Sequence, residues 1–271
     1  MTGTTRFLHG AQALSHGLAA RLPSGSVELN AVVTAIEVTP DGVAVQVRRA
    51  GRDHDAERLS ARAVIVALPP RLVATTLTFV PELSADVRRV LLDLPTWMGH
   101  AAKVFVRYDR PFWREQRLSG FAVGGVGPLE EIHDVSSPDG HFTALFGFLA
   151  AGPVWRELTL EQRRQAVLAQ LARLFGPEAL KDRSYHEKDW VREGYTSSVE
   201  DVVATPEDFG YGHTLFEEAA FEGRVFWAGT ETSAVDGGRL EGAVRAGRRA
   251  ARLVEEQLLG RSEALRSIQV E

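Results

Sequence analysis

Lys103 is one of only three lysines in 271 residues, and it sits inside an apolar run, Ala101-Ala102-Lys103-Val104-Phe105-Val106. An ammonium flanked this way must find partners or lose its proton. It is therefore either a proton-handling group or a lysine reaching from a strand edge to solvent. A second feature is 225–251, where VFWA runs into Gly229-Thr230-Glu231, crosses a polar turn and enters a helix through Gly237-Gly238. Glycines let a backbone approach a ligand closely, and a helix start offers unpartnered N–H groups and partial positive charge. That suits a ligand that is or becomes anionic. The same pattern is common as plain packing in α/β proteins, and Gly242 and Gly247 read as close packing of the helix on a sheet.

Other chemistries find little support. The chain has no cysteine, which excludes disulfides, thiolate metal sites, a cysteine nucleophile and a thioether-linked cofactor. No G-x-S-x-G occurs, and the eight histidines lack metal-ligand spacing. A net charge of −5 points to neither nucleic acid nor an anionic membrane as partner. The N-terminal stretch does not read as a signal peptide, and no apolar run is long enough to span a bilayer. A cytoplasmic location is expected, consistent with the missing cysteines.

The elements that must position these groups follow from patterning. Ala11, Leu14, Leu18 and Leu22 recur at helical spacing and predict an amphipathic helix over 10–22. VELNAVVTAIEV, the turn TPDG and VAVQVRR predict a hairpin through Asp41-Gly42. AVIVAL at 63–68 reads as a buried strand closed by Pro69-Pro70, and 84–93 as a helix capped by Ser84. Residues 101–108, 119–124 and 142–149 are strand-like and aromatic, predicting an antiparallel sheet. A helix is predicted over 159–175, capped by Thr159, stopped by Gly176-Pro177, with Leu160, Val167, Leu168, Leu171 and Leu174 inward. Residues 194–222 read as loop, 224–229 as a short strand and 239–259 as a long helix.

Together these segments resemble the flavin-containing amine oxidase family (monoamine and polyamine oxidases). The match is carried by AGTET followed by GG-x-LEGAV-x-AG-x-x-AA, and by WMGHAAKVFVRYDRPFW at 97–113. The resemblance implies an α/β fold: a doubly wound FAD-binding domain, here incomplete, with an inserted substrate domain of antiparallel sheet and helices. Its boundaries would be 1–92 and 193–271 for the FAD-binding parts and 93–192 for the substrate domain. It implies FAD held non-covalently, since Val199 stands where covalent members carry a cysteine. Gly229, Thr230, Glu231, Gly238, Arg239 and Leu240 become flavin contacts, with the helix start facing the pyrimidine side of the ring. Lys103 falls on the lysine that holds a water against flavin N5. Trp190 matches the tryptophan-containing approach to the flavin, and Val33 the valine beside the adenine; Val33 reads equally as core.

Departures from the pattern are as informative. The two aromatic residues that normally cage the amine are replaced by Glu200 and Arg239, which would suit a polar or zwitterionic substrate. Both also read as solvent-facing loop charges. Phe148 falls where an aromatic often lines the substrate cavity, or is a core phenylalanine. No G-x-G-x-x-G loop occurs in 1–271, and the nearest string, GGVGPL at 124–129, lacks the third glycine. The resemblance covers only about the second half of the family's pattern. Oxidative deamination of a small amine or amino acid is expected, with the glycine-rich half supplied by a separate chain or upstream sequence. The alternatives are a non-catalytic paralogue or partner-binding subunit, and a related flavin desaturase or porphyrinogen oxidase; Lys103 with Pro111-Phe112-Trp113 argues against the last.

Overall fold

The computed structural model describes residues 7, 10–49, 56–150, 153–203 and 210–268. Residues 204–209 of the expected 194–222 loop lie outside the described residues. The chain opens with α1 (Gln12–Ala19), then the hairpin β1 (Ala31–Thr39) and β2 (Gly42–Arg49). Thr39 pairs with Gly42 across the predicted turn. Next come β3 (Glu57–Ala61), β4 (Val64–Val66), α2 (Pro70–Thr76), β5 (Thr78–Val80) and α3 (Ala85–Asp93). The hydroxyl of Ser84 accepts from Val87 N and caps α3. Four strands form a mixed sheet ordered β3-β2-β1-β5, in which β1 and β5 run parallel.

The middle of the chain supplies β6 (Ala102–Arg107), α4 (Phe112–Glu115), β7 (Ala122–Val123), β8 (Leu129–Asp134) and β9 (Ala144–Leu149). Then follow α5 (Pro153–Arg156), α6 (Leu160–Phe175) and β10 (Ser184–Asp189). These strands make an antiparallel sheet ordered β10-β6-β9-β8-β7. Alternation along β6 turns Ala102, Val104 and Val106 towards α6, where Val167, Leu168, Leu171 and Phe175 complete one core. Finally β11 (Val225–Trp227) pairs in parallel with β4, and α7 (Leu240–Ile268) closes the chain. A second core joins Ile36, Phe79, Leu91, Phe216 and Trp227.

Four expectations need correction. Residues 129–134 form β8, hidden in the sequence because a bulge between Leu129 and Glu131 breaks the alternation. Leu160 and Leu174 are exposed, while Gln170 is buried on α6. Its amide donates to Leu129 O and accepts from Leu129 N, satisfying the backbone that the bulge frees. The helix over 10–22 forms as α1, but Leu18 and Leu22 are exposed rather than packed. Among the described residues Gly247 has no neighbour within 4 Å of where a Cβ would stand, so it is not a close-packing glycine there.

Candidate active site

The turn after β11 is fixed by hydrogen bonds on every side. Gly229 takes φ +106°, a conformation that favours glycine, and a Cβ built there would only touch Glu231 Oε2 at 3.6 Å and Leu68 O at 3.8 Å, so its conformation rather than crowding calls for glycine. Thr232 Oγ1 donates to Gly229 O at 2.9 Å, and Thr230 Oγ1 to Arg239 O at 2.7 Å. The second bond ties the turn to the start of α7. There Arg239 O accepts from Ala243 N, so the N–H groups of 240–242 have no acceptor earlier in the helix. Packing explains Gly237 and Gly242, and packing together with φ +77° explains Gly238. A Cβ would stand 2.7 Å from the Trp97 indole at Gly238, 2.8 Å from Ser233 O at Gly237 and 2.2 Å from Asp236 O at Gly242.

Glu231 is buried within this turn. Burial raises its carboxyl above the ordinary value; its own N–H and that of Trp97 pull it back, and Asp201 pushes it up further. Sequence reading missed Arg249, which reaches back from α7 to Thr232 O (3.0 Å), Thr232 Oγ1 (2.8 Å) and Trp227 O (3.3 Å). It also missed Asp201, fully buried next to the exposed Glu200. Asp201 accepts from Arg71 Nη1 at 2.7 Å, Thr96 N at 3.1 Å and Ser198 N at 2.7 Å. A lone acid in a polar stretch carries no periodic signal, so nothing in the sequence marked it.

Lys103 lies on β6, an interior strand, and faces away from α6. It is half-buried, forms no ion pair among the described residues, and desolvation lowers its pKa. Its Nζ sits 5.6 Å from the centroid of Phe148, directly opposite on β9. Phe148 is thus on the open face of the sheet rather than in the core. The segment preceding β6 joins this strand to the turn. Trp97 touches Gly238 and Glu231, Tyr211 Oη donates to Pro95 O, and Trp190 N donates to Ala101 O at 3.1 Å.

The other sequence candidates are less closely tied. Leu240 is exposed at the helix start, and Arg239 is exposed with Asp236 3.7 Å away. Glu200 is exposed, its carboxyl lowered first by the Ser198 hydroxyl; no ion pair joins it to Arg239. Val33 is half-buried at the β1 bulge against the second core. A cavity of about 230 Å³ lies on the helix side of the antiparallel sheet, bordered by Arg156, Arg163, Glu187 and Asp189. None of the candidates discussed above lines it, so it is separate from this site.

The glycine-led turn, the start of α7 and the segment preceding the lysine strand are thus packed together. Comparison with known proteins gives the family. The sequence profile of the family described as flavin containing amine oxidoreductase matches residues 1–255, and the chain belongs to that family. It is 32% identical over 260 residues to a probable flavin-containing monoamine oxidase A of Dictyostelium discoideum, covering 94% of this chain and 54% of that protein. It is 33% identical over 204 residues to an L-amino acid dehydrogenase of Synechocystis sp., covering 73% and 41%. Among solved structures, cyclohexylamine oxidase from Brevibacterium oxydans superposes with a TM-score of 0.74 at 27% identity, covering 92% of this chain and 53% of that one. The chain spans about half the length of the curated relatives it matches.

Proposed function

We propose that this chain forms the ring-facing part of an FAD-dependent enzyme that oxidatively deaminates a small amine or amino acid. The observation that carries the reading is Lys103: a half-buried lysine with no ion pair among the described residues, on a strand tied through Trp97 to the glycine-led start of α7. The residues fit FAD. Gly229 at φ +106° turns the backbone there, and the N–H groups of 240–242, which have no acceptor earlier in the helix, can meet negative charge. Gly229, Thr230, Glu231, Gly238, Arg239 and Leu240 would hold the flavin, with Trp190 and Val33 as further contacts. Without a cysteine the chain forms no thioether link to the flavin, in keeping with non-covalent binding.

When bound, FAD supplies the two-electron acceptor for oxidation of the carbon that bears the amine. Lys103 holds a water and, with its lowered pKa, exchanges a proton more readily than an exposed lysine would. Fixed N–H dipoles at the start of α7 favour negative charge that develops beside them. Glu200 attracts a substrate ammonium and Arg239 a substrate carboxylate, which suits amino acids as well as amines. We place the enzyme in the cytoplasm, in keeping with a cysteine-free sequence. Among the described residues no helix is long and apolar enough to cross a membrane.

A second reading, that the chain works with a partner supplying a G-x-G-x-x-G half, draws on the β4 edge. Among the described residues β4 pairs with β11 alone, and Ile65 and Leu68 are exposed beside it. Parallel strands are ordinarily buried on both faces and flanked by neighbours. The test is flavin uptake: the purified chain, alone and with a polypeptide carrying that half, is mixed with FAD and its visible absorbance recorded after desalting. Retained yellow colour is expected in the paired sample at least. Protein that stays colourless in both defeats the proposal.

A further inference from the structure

The cavity of about 230 Å³ on the helix side of the antiparallel sheet has walls of two kinds. Ala102, Val104 and Leu149 give it an apolar floor. The rest is charged, with Arg156, Arg163, Lys188 and Arg192 set against Glu187 and Asp189. Much of that charge is already matched. Arg163 Nε donates to Glu187 at 2.9 Å, and its Nη1 meets the carbonyls of Trp155, Arg156 and Leu158. Tyr185 Oη also donates to Glu187, at 2.8 Å, and Lys188 is paired with Glu193. Arg156 and Arg192 are different, because both lean on one oxygen of one carboxylate. Arg156 Nε lies 3.2 Å and Arg192 Nε 3.6 Å from Asp189 Oδ2, while Asp189 Oδ1 has no hydrogen bond among the described residues. Neither arginine is therefore held by both prongs. Arg156 Nη2 goes to His100 O, which leaves its Nη1 and both Nη groups of Arg192 without an acceptor among the described residues.

We propose that Arg156 and Arg192 form a carboxylate site, and that this cavity binds a small organic acid with a short apolar tail. Three features support it. Two neighbouring guanidinium groups share a single carboxylate, so one positive charge is left over, and their unused N–H groups match the geometry of a second carboxylate. The floor of Ala102, Val104 and Leu149 rewards a hydrocarbon tail, which an inorganic anion lacks. The volume suits an acid of a few carbons and is below the usual range for drug-sized ligands. Strand register sets Asp189 opposite Ala102, whose side chain faces α6, whereas Lys103 faces the other way. The site is thus behind the lysine strand, and the proposal assumes neither flavin binding nor a role for Lys103.

The test is a titration of the full chain, isotopically labelled at its methyl groups, read from the resonances of Val104 and Leu149. The probes are isocaproate, its uncharged amide and inorganic phosphate. Isocaproate is expected to shift both residues saturably and to bind roughly tenfold tighter than the amide, the order of one charge-assisted hydrogen bond. Arg192→Gln is expected to remove that preference. The Arg192 side chain is mostly exposed, so the variant keeps its fold, and the same methyl spectrum checks this. Failure of isocaproate to saturate, equal binding of acid and amide, or a preference that survives Arg192→Gln overturns the proposal. So does phosphate that binds as tightly as isocaproate, since the apolar floor would then contribute nothing.

Discussion

The glycine-led turn before α7 and the open face of the antiparallel sheet are built on opposite plans. In the turn almost every polar group is spoken for, with Thr230, Glu231 and Thr232 each held by neighbours and Gly237, Gly238 and Gly242 filled by other parts of the chain. On the sheet face, aromatic rings and a lysine with no ion pair among the described residues stand in partial exposure. A saturated region resists change and holds a cofactor in one pose. An unsaturated one leaves its interactions for something that arrives, and it is where specificity can vary.

The largest effect should come from the buried carboxylate beside the saturated turn, Asp201. Asp201→Ala strips the partner from Arg71 and leaves Thr96 N and Ser198 N without an acceptor. The expected loss is about 3–5 kcal/mol, read from urea unfolding. A loss below about 1 kcal/mol would break the contrast between the two regions. Next comes a paired glycine test on α7. Gly242→Ala drives a methyl into Asp236 O and should cost about 1–3 kcal/mol. Gly247→Ala meets open space and should instead stabilise by up to about 1 kcal/mol. If both substitutions behave alike, the packing account of the helix start is wrong.

A smaller effect follows from pH. The Glu231 carboxyl is raised above its ordinary value of 4.5 in the folded chain, so the native state binds the proton more tightly than the unfolded state. Its contribution to stability is therefore present below 4.5 and is lost as pH rises through the raised value. Glu231→Gln should gain on wild type as pH rises across that window, seen as diverging urea midpoints. Midpoints that stay parallel would mean the hydrogen bonds from Trp97 and Glu231 itself fully offset burial.

The two regions also differed in how much their residues disclosed. Asp41-Gly42 forced the hairpin, Ser84 and Thr159 capped their helices, and the run from Gly229 to Leu240 named the family, because each signal is local. The sheet face was half legible. Lys103 stood out through its neighbours, and Phe148 through the family pattern, yet their pairing needed the register between β6 and β9. β8 escaped because its bulge broke the alternation, and Gln170 because a buried amide looks like a surface residue until its backbone partner is known. Asp201 and Arg249 act across more than one element, which no window of sequence displays. Exposed Leu18 and Leu22 show that helical periodicity forecasts an apolar stripe without saying what covers it.

Lys103 is proposed to face the reacting end of a substrate bound beside a flavin. With FAD taken up, alone or together with a G-x-G-x-x-G half, an amine added without oxygen should bleach the flavin band in wild type. Lys103→Met should retain the same flavin content and bleach about a hundredfold more slowly. Equal bleaching rates at equal flavin content would contradict the account.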